Sequence, residues 1–209
     1  QDRSGILWIG MYGGGLSTYD PLANKFTHYY NAPMNLKSLS NSMIFALAPA
    51  PDGTVWIGTA GGGLDHYDPR TDIFTHYRHD PKFPDGLQND HISAVLVASD
   101  GIVWVGTNSG LDRLDPSTGK FTHIVSDEND PAALPDTIIA SIYQDSANTI
   151  WVGTGNGLAR YNASTQTFTR YTKTRDASGL NDGYVISIRE DHNGALWVGT
   201  FSGGLSRLD

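Results

Sequence analysis

The chain has 209 residues, 39% of them hydrophobic and 17% charged, and a formal net charge of -8. That length supports a substantial buried core, the composition excludes a disordered chain, and no apolar run approaches the ~20 residues of a membrane-spanning helix. The negative charge argues against nucleic acid as a partner, because such binding is built on Lys and Arg neutralising phosphates. The absence of cysteine excludes a disulfide framework and a thiolate metal site.

Taken in chain order, the first distinct element is "LWIGMYGGGLSTYD", Leu7 to Asp20, a tryptophan strand running into glycines. It returns as "VWIGTAGGGLDHYD" from Val55, "VWVGTNSGLDRLD" from Val103, "IWVGTGNGLARYN" from Ile150 and "LWVGTFSGGLSRLD" from Leu196. All five tryptophans, Trp8, Trp56, Trp104, Trp151 and Trp197, lie inside this string at spacings of 48, 48, 47 and 46 residues, and they are its structural markers. A fixed period in this range predicts the blades of a propeller. The expected fold class is all-β, a β-propeller of four-stranded antiparallel blades with about 4.5 repeats of ~47 residues.

Each unit opens with an apolar inner strand: "MIFALA" from Met43, "ISAVLVA" from Ile92, "IIASIY" from Ile138 and "YVISI" from Tyr184. Their poor alternation predicts burial on both faces. "PDG", "SDG" and "HNG" then predict tight hairpins, with Asn148 standing in the fourth copy where the others have Gly. The tryptophan strand, a "GLDRLD"-like strand and an "FTHY"-like strand follow, the last two joined by Asp-Pro turns at Asp20, Asp68 and Asp115. The expected units are 1–30 (three strands), 43–78, 91–125, 137–172 and 184–209 (three strands), a single propeller or propeller segment over 1–209. With two incomplete units, the chain is expected to be a segment of a longer protein. Folding alone, it is expected to form a five-bladed ring with two incomplete blades, with self-association with a second chain through the unpaired strand edges of its terminal blades as the alternative.

A phosphate-binding reading of the glycines fails. A P-loop needs Gly-Lys-Ser/Thr leading into a helix, whereas here no Lys follows and the cluster shrinks to "SG" and "NG" between copies. His28, His76 and His123 recur at one position of successive units, and equivalent positions in separate blades diverge rather than converge on a metal. "SDENDP" from Ser126 reads as a solvated acidic loop, because its oxygen spacing matches no calcium loop. No catalytic motif and no cofactor or metal site is called for.

Alternating strand direction places the second-to-third hairpins and the long linkers on one face, and variable loops on a rigid frame are where function resides. The linkers end in Leu39/Asn41, Leu87/Asn89, Leu134/Asp136 and Leu180/Asp182, read as an apolar anchor and an Asx turn. Candidate ligand contacts are the residues that break the repeat. At the hairpin tips Tyr12 and Phe201 replace the small Ala60, Ser109 and Asn156, while at the inner-strand starts His91 and Tyr184 replace Met43 and Ile138. Arg78, His79, Lys82 and Arg175 add polar groups nearby. Aromatic faces flanked by polar groups suit sugars.

The pattern "D..G.LWIGT..GGL..YDP.T..FTHY" resembles the repeat of the two-component regulator propellers, the extracytoplasmic sensor half of hybrid two-component histidine kinases. The resemblance covers nearly the whole chain and implies a non-catalytic, periplasmic or extracellular bacterial sensor domain for signal transduction that responds to oligosaccharides. It carries over no ligand residues, since the shared motif is scaffold. Two other functions remain open on the residues alone: a scaffold whose variable face holds another protein, and a propeller lyase or glycoside-acting enzyme. No membrane contact by this segment is expected.

Overall fold

The computed structural model describes residues 1–174 and 179–208. Eighteen strands form five antiparallel sheets of three or four strands, with no α-helix among the described residues. The chain divides into two compact units, Gln1–Val97 and Ala98–Asp209. The N-terminal unit holds β1 (Leu7–Met11), β2 (Gly15–Asp20) and β3 (Lys25–Tyr29) as one sheet. Its second sheet is β4 (Ile44–Pro49), β5 (Val55–Thr59), β6 (Leu64–Asp68) and β7 (Ile73–Tyr77), and β8 (Ile92–Val97) ends the unit. In the C-terminal unit β9 (Val103–Thr107), β10 (Gly110–Asp115) and β11 (Lys120–Ile124) pair in succession. They are followed by a sheet of β12 (Ile139–Gln144), β13 (Ile150–Thr154), β14 (Gly157–Asn162) and β15 (Thr167–Tyr171). A last sheet contains β16 (Val185–Glu190), β17 (Leu196–Thr200) and β18 (Leu205–Leu208). Sequence neighbours pair throughout these sheets, the up-and-down order of a propeller blade.

The turns follow from their residues. Gly53, Gly101 and Gly194 hold φ of 87°, 85° and 87° in the hairpins that open the tryptophan strand, and Asn148 takes φ 64° in the fourth copy, as its side chain permits. Asp20, Asp68 and Asp115 each accept the backbone N–H two residues on, at 2.8, 2.9 and 2.9 Å, which closes the Asp-Pro turns. In the glycine cluster of the second blade, Gly63 adopts φ 82°, and a Cβ there would run into the Tyr77 carbonyl oxygen. The buried Thr59 hydroxyl donates to Gly63 O at 2.9 Å and accepts from Gly62 N at 3.0 Å. The cluster is thus a closed hairpin whose N–H groups already have acceptors, not an anion cradle.

Burial differs from expectation in one respect. The tryptophan strands β5, β9 and β13 are buried at every position, whereas the inner strands β4, β8, β12 and β16 are only half-buried. In the second blade β4 is an edge strand, while β5 lies between β4 and β6 and also packs against β8. The core of the N-terminal unit joins Leu16, Leu39, Ile44, Ile57, Tyr67 and Phe74, with Trp8 and Tyr29 against it. That of the C-terminal unit joins Trp151, Leu158, Leu180, Val185, Ile188 and Val198. Burial of each large apolar side chain contributes about 1.5–3 kcal/mol, so these clusters dominate the stability of each unit.

Adjacent blades meet at the glycine two residues after Trp8, Trp56 and Trp151. A Cβ on Gly58 would lie 2.7 Å from Ile92 Cγ2 and 3.1 Å from Ala46 Cβ. Gly58→Ala is therefore expected to overpack the contact and cost about 1–3 kcal/mol. Because Ile92 is the obstacle, the same change in an Ile92→Ala background should cost clearly less, by about 1 kcal/mol. Urea unfolding of the four proteins measures this, and strictly additive costs would contradict the contact.

Candidate functional site

The four linkers are anchored as the Leu–Asn/Asp pattern suggests. Leu39, Leu87, Leu134 and Leu180 are buried. Asn41, Asn89 and Asp136 accept the N–H of Met43, His91 and Ile138, each at 2.8 Å, and so launch the next strand. Asn41 Nδ2 also donates to Ala60 O at 2.9 Å, tying the linker to the hairpin tip. In the C-terminal unit Asp182 Oδ2 accepts from the N–H and hydroxyl of Ser202 at 3.0 and 2.9 Å. Those two bonds, the backbone one foremost, hold its carboxyl below the usual range.

A second set of polar contacts ties the outer strand to the linkers. His76 Nδ1 lies 2.7 Å from Oδ1 of the fully buried Asp65, whose Oδ2 accepts from Ser40 N at 2.8 Å. His76 Nε2 lies 2.9 Å from the Leu36 carbonyl. His123 repeats the pairing with buried Asp112 at 2.7 Å, and His28 pairs with Ser17 at 2.8 Å. In the fourth copy Ala159 replaces the aspartate and Arg170 replaces the histidine. Its guanidinium donates to the carbonyls of Asp127, Ala133 and Leu134 at 2.6, 2.7 and 2.9 Å. These residues bind linker backbone, buried carboxylates or the Ser17 hydroxyl, a structural role.

Within the N-terminal unit the repeat-breaking residues converge. Tyr12 is 77% exposed and its ring centroid lies 5.9 Å from that of Phe45, which lies 5.3 Å from His91. Phe45 owes its position to a β-bulge between Ile44 and Ala46, which leaves it unpaired and outward. His91 Nδ1 is buried without a hydrogen-bond partner. The C-terminal unit carries a separate pair, Tyr184 and Phe201, with centroids 5.7 Å apart. Phe201 N donates to Tyr184 O at 2.9 Å, just as Ala60 N donates to Met43 O and Gly155 N to Ile138 O. Gly155, rather than Asn156, is thus the counterpart of the tip aromatics. All five rings lie where hairpin tips meet inner-strand starts.

The polar candidates are placed differently. Arg78 Nη2 reaches Ser40 O at 3.4 Å, while His79 bonds to Leu87 O through Nδ1 and to Asp90 through its backbone N–H. Both are engaged by the linkers. Lys82 contributes its backbone N–H to Asp80 Oδ1. Arg175 lies outside the described residues. Phe45 was hidden from sequence reasoning inside an apolar run. The one available signal was its contrast with Ser93, Ala140 and Ile186 at the equivalent position.

The two component regulator propeller family matches residues 38–61, 86–109, 133–156 and 179–202. No curated protein sequence matches the chain. Among solved structures, the extracellular domain assigned to a hybrid two component system from B. thetaiotaomicron is 25% identical with a TM-score of 0.79, over 99% of this chain and 26% of that one. The chain therefore spans about a quarter of that relative's length. The corresponding domain of a second such system from the same organism is 22% identical, with a TM-score of 0.58 over 99% of this chain and 39% of that one. Virginiamycin B lyase from Staphylococcus aureus is 19% identical, with a TM-score of 0.68 over 99% and 67%, a likeness of fold.

The His76 arrangement has a pH signature. Both ring nitrogens face pure acceptors, a situation only the doubly protonated imidazolium satisfies. The bond to Asp65 is the main cause that raises the His76 pKa, with burial working against it. A raised folded value gives stability that is complete below the ordinary pKa of about 6.5 and lost as pH climbs through the folded value. The Tm difference between the parent and His76→Gln should be largest near pH 6 and narrow toward about pH 9. Thermal melts across that range measure it, and a gap that widens with pH would contradict the pairing.

Proposed function

Since the chain carries four two-component regulator propeller repeats, we propose that it is a non-catalytic ligand-sensing propeller of an extracytoplasmic bacterial two-component sensor, and that it binds oligosaccharides on its linker face. The observation that supports this most is the row of exposed Tyr12 and Phe45 with half-buried His91, beside anchored linkers. Aromatic rings offer the apolar C–H faces of a sugar a surface, and flanking polar atoms take its hydroxyls. A periplasmic or extracellular location fits the extracellular relatives. Sensing requires that the ligand distinguish two arrangements of the sensor, so its affinity must differ between them.

A docking scaffold for another protein is the second reading, favoured by Met34, Leu36 and Phe83, which stand exposed on the linkers. Among the described residues no three His, Cys, Asp or Glu side chains group as metal ligands. The enzymatic alternative needs turnover of a glycan, which the assay below also detects.

A panel of neutral oligosaccharides screened by thermal shift, then calorimetry, tests the proposal. At least one is expected to raise the Tm without being consumed. Tyr12→Ala and Phe45→Ala should each weaken a binder of the N-terminal unit by about 1 kcal/mol, roughly fivefold in Kd. Phe201→Ala should do the same for a binder of the C-terminal unit. A panel with no binder, or one indifferent to all three changes, would reject the oligosaccharide reading.

A further inference from the structure

Three tryptophans of the repeat give their indole N–H to an aspartate six residues earlier. Trp8 Nε1 donates to Asp2 Oδ2 at 2.7 Å, Trp151 to Asp145 at 2.7 Å and Trp197 to Asp191 at 2.9 Å. An arginine on the neighbouring strand lies over the ring in two of these blades: Arg160 over Trp151 and Arg207 over Trp197, at 5.9 and 5.8 Å. In those blades the indole N–H thus holds a carboxylate supplied by the chain, with a guanidinium over the same ring.

The copy built on Trp104 keeps the indole and the guanidinium but has Ala98 in place of the aspartate. Its turn backbone is unchanged. Ala98 N donates to Ile102 O and Gly101 N to Ala98 O, both at 2.9 Å, matching Asp145 N to Thr149 O at 3.0 Å and Asn148 N to Asp145 O at 2.9 Å. Asp100 replaces the lost cap on Ile102 N, at 3.0 Å, and does nothing for the indole. Trp104 is 2% exposed and its Nε1 is buried with no hydrogen-bond partner. Arg113 lies over its ring at 5.0 Å, 5.9 Å from Tyr161, and the Arg113 Nε is likewise buried with no partner. Two orphaned donors are costly to bury unless an acceptor reaches them.

A cavity of about 670 Å³ opens at this place in the C-terminal unit, bounded by Ala98, Trp104, Arg113, Gln144, Arg160 and Tyr161. Its size is in the range of small-molecule sites. The charged groups facing it are Arg113, Arg160 and Asp100. The rest of the wall is mainly amides and hydroxyls. Ser99 N donates to Gln144 Oε1 at 2.9 Å, and Gln144 Nε2 and Asn148 Oδ1 each lie 3.0 Å from Ser99 Oγ. Asn162, Ser164 and Thr169 continue the polar lining.

We propose that this cavity binds a small organic carboxylate with a hydroxylated body, whose carboxylate replaces the missing aspartate side chain and accepts from Trp104 Nε1 and Arg113 Nε. A planar carboxylate, rather than a tetrahedral oxyanion, is what the indole N–H holds in the sister blades. The hydroxyls of the ligand then meet the amide and hydroxyl wall. The site is distinct from the aromatic rows, on the turns at the opposite ends of the strands, and stands whether or not those rows bind neutral sugars.

The chain labelled with nitrogen-15 offers five indole N–H signals, one per tryptophan, and Trp104→Phe identifies that of Trp104. Titration with sodium glucuronate and sodium gluconate, with glucose as the neutral control, is expected to shift the Trp104 signal saturably for at least one carboxylate and not for glucose. Ala98→Asp installs the carboxylate found in the sister blades. It should raise the Tm and weaken carboxylate binding at least tenfold. Arg113→Met, which leaves the turn intact, should also weaken binding and serves if the first variant loses its dispersed spectrum. A Trp104 signal that ignores both carboxylates, that responds equally to glucose, or that titrates unchanged in the folded variants would overturn the proposal.

Discussion

The close approach of adjacent blades over a glycine is the constraint on which the rest of each unit depends. Ile44 presses on Gly10, Ile92 on Gly58 and Val185 on Gly153, each with a branched methyl where a Cβ would otherwise stand. The contact sets how near an inner strand comes to the tryptophan strand of the preceding blade. It explains why the buried strands read Trp-Ile/Val-Gly-Thr with so little variation: the tryptophan and the aliphatic residue fill the two faces, the glycine admits the neighbour and the threonine closes the hairpin. Interiors packed to this density leave no room for drift, so the positions of hairpin tips and inner-strand starts follow from a contact several residues away.

On that frame the polar residues act as ties, and their sequence variation is coordinated. The buried Asp65 and Asp112 accompany histidines, Ser17 accompanies His28, and where Ala159 removes the acceptor the partner becomes Arg170, which finds backbone carbonyls instead. His76 and Arg170 reach linker carbonyls, so two different side chains tie the outer strand to the linker in different copies. The rule that buried polar atoms find partners makes the two departures in the C-terminal unit informative, because Trp104 Nε1 and Arg113 Nε sit together beside one cavity.

The blades, their strand order and the linker anchors were legible in the sequence because each is a repeated column, and repetition turns a weak local signal into a strong one. Asn148 could be read as a left-handed turn residue only because glycine fills that place elsewhere. Phe45 was not legible. A bulge reverses the direction of a side chain without leaving a mark in an apolar run, and the burial of β4 was overestimated for the same reason. The cavity beside Trp104 was also hidden. Alanine in a column of aspartate and alanine looks like an ordinary small residue until the indole it fails to meet is seen to be buried and unpartnered. The turns on that side looked uniform in sequence because their backbones are uniform; the difference is one carboxylate.

A symmetric scaffold can bind an asymmetric ligand only where the symmetry is broken, and here it is broken in two chemically different ways. At the linker ends of the strands, added side chains protrude: Tyr12, Phe45 and Phe201 stand where other copies have small or aliphatic residues. At the opposite ends a side chain is subtracted, and Ala98 leaves behind an indole donor whose counterparts three other blades satisfy internally. Addition creates an exposed apolar surface, whose attraction for a ligand is broad and weakly directional. Subtraction creates a concave site whose donors are already desolvated, so part of the cost of binding was met on folding. The first device suits recognition of extended, variable molecules, the second a single small anion. Because both rest on blades locked by the same glycine contacts, a ligand at either place can influence the rest of its unit only by favouring one blade packing over another, which confines any response to discrete shifts between packed arrangements.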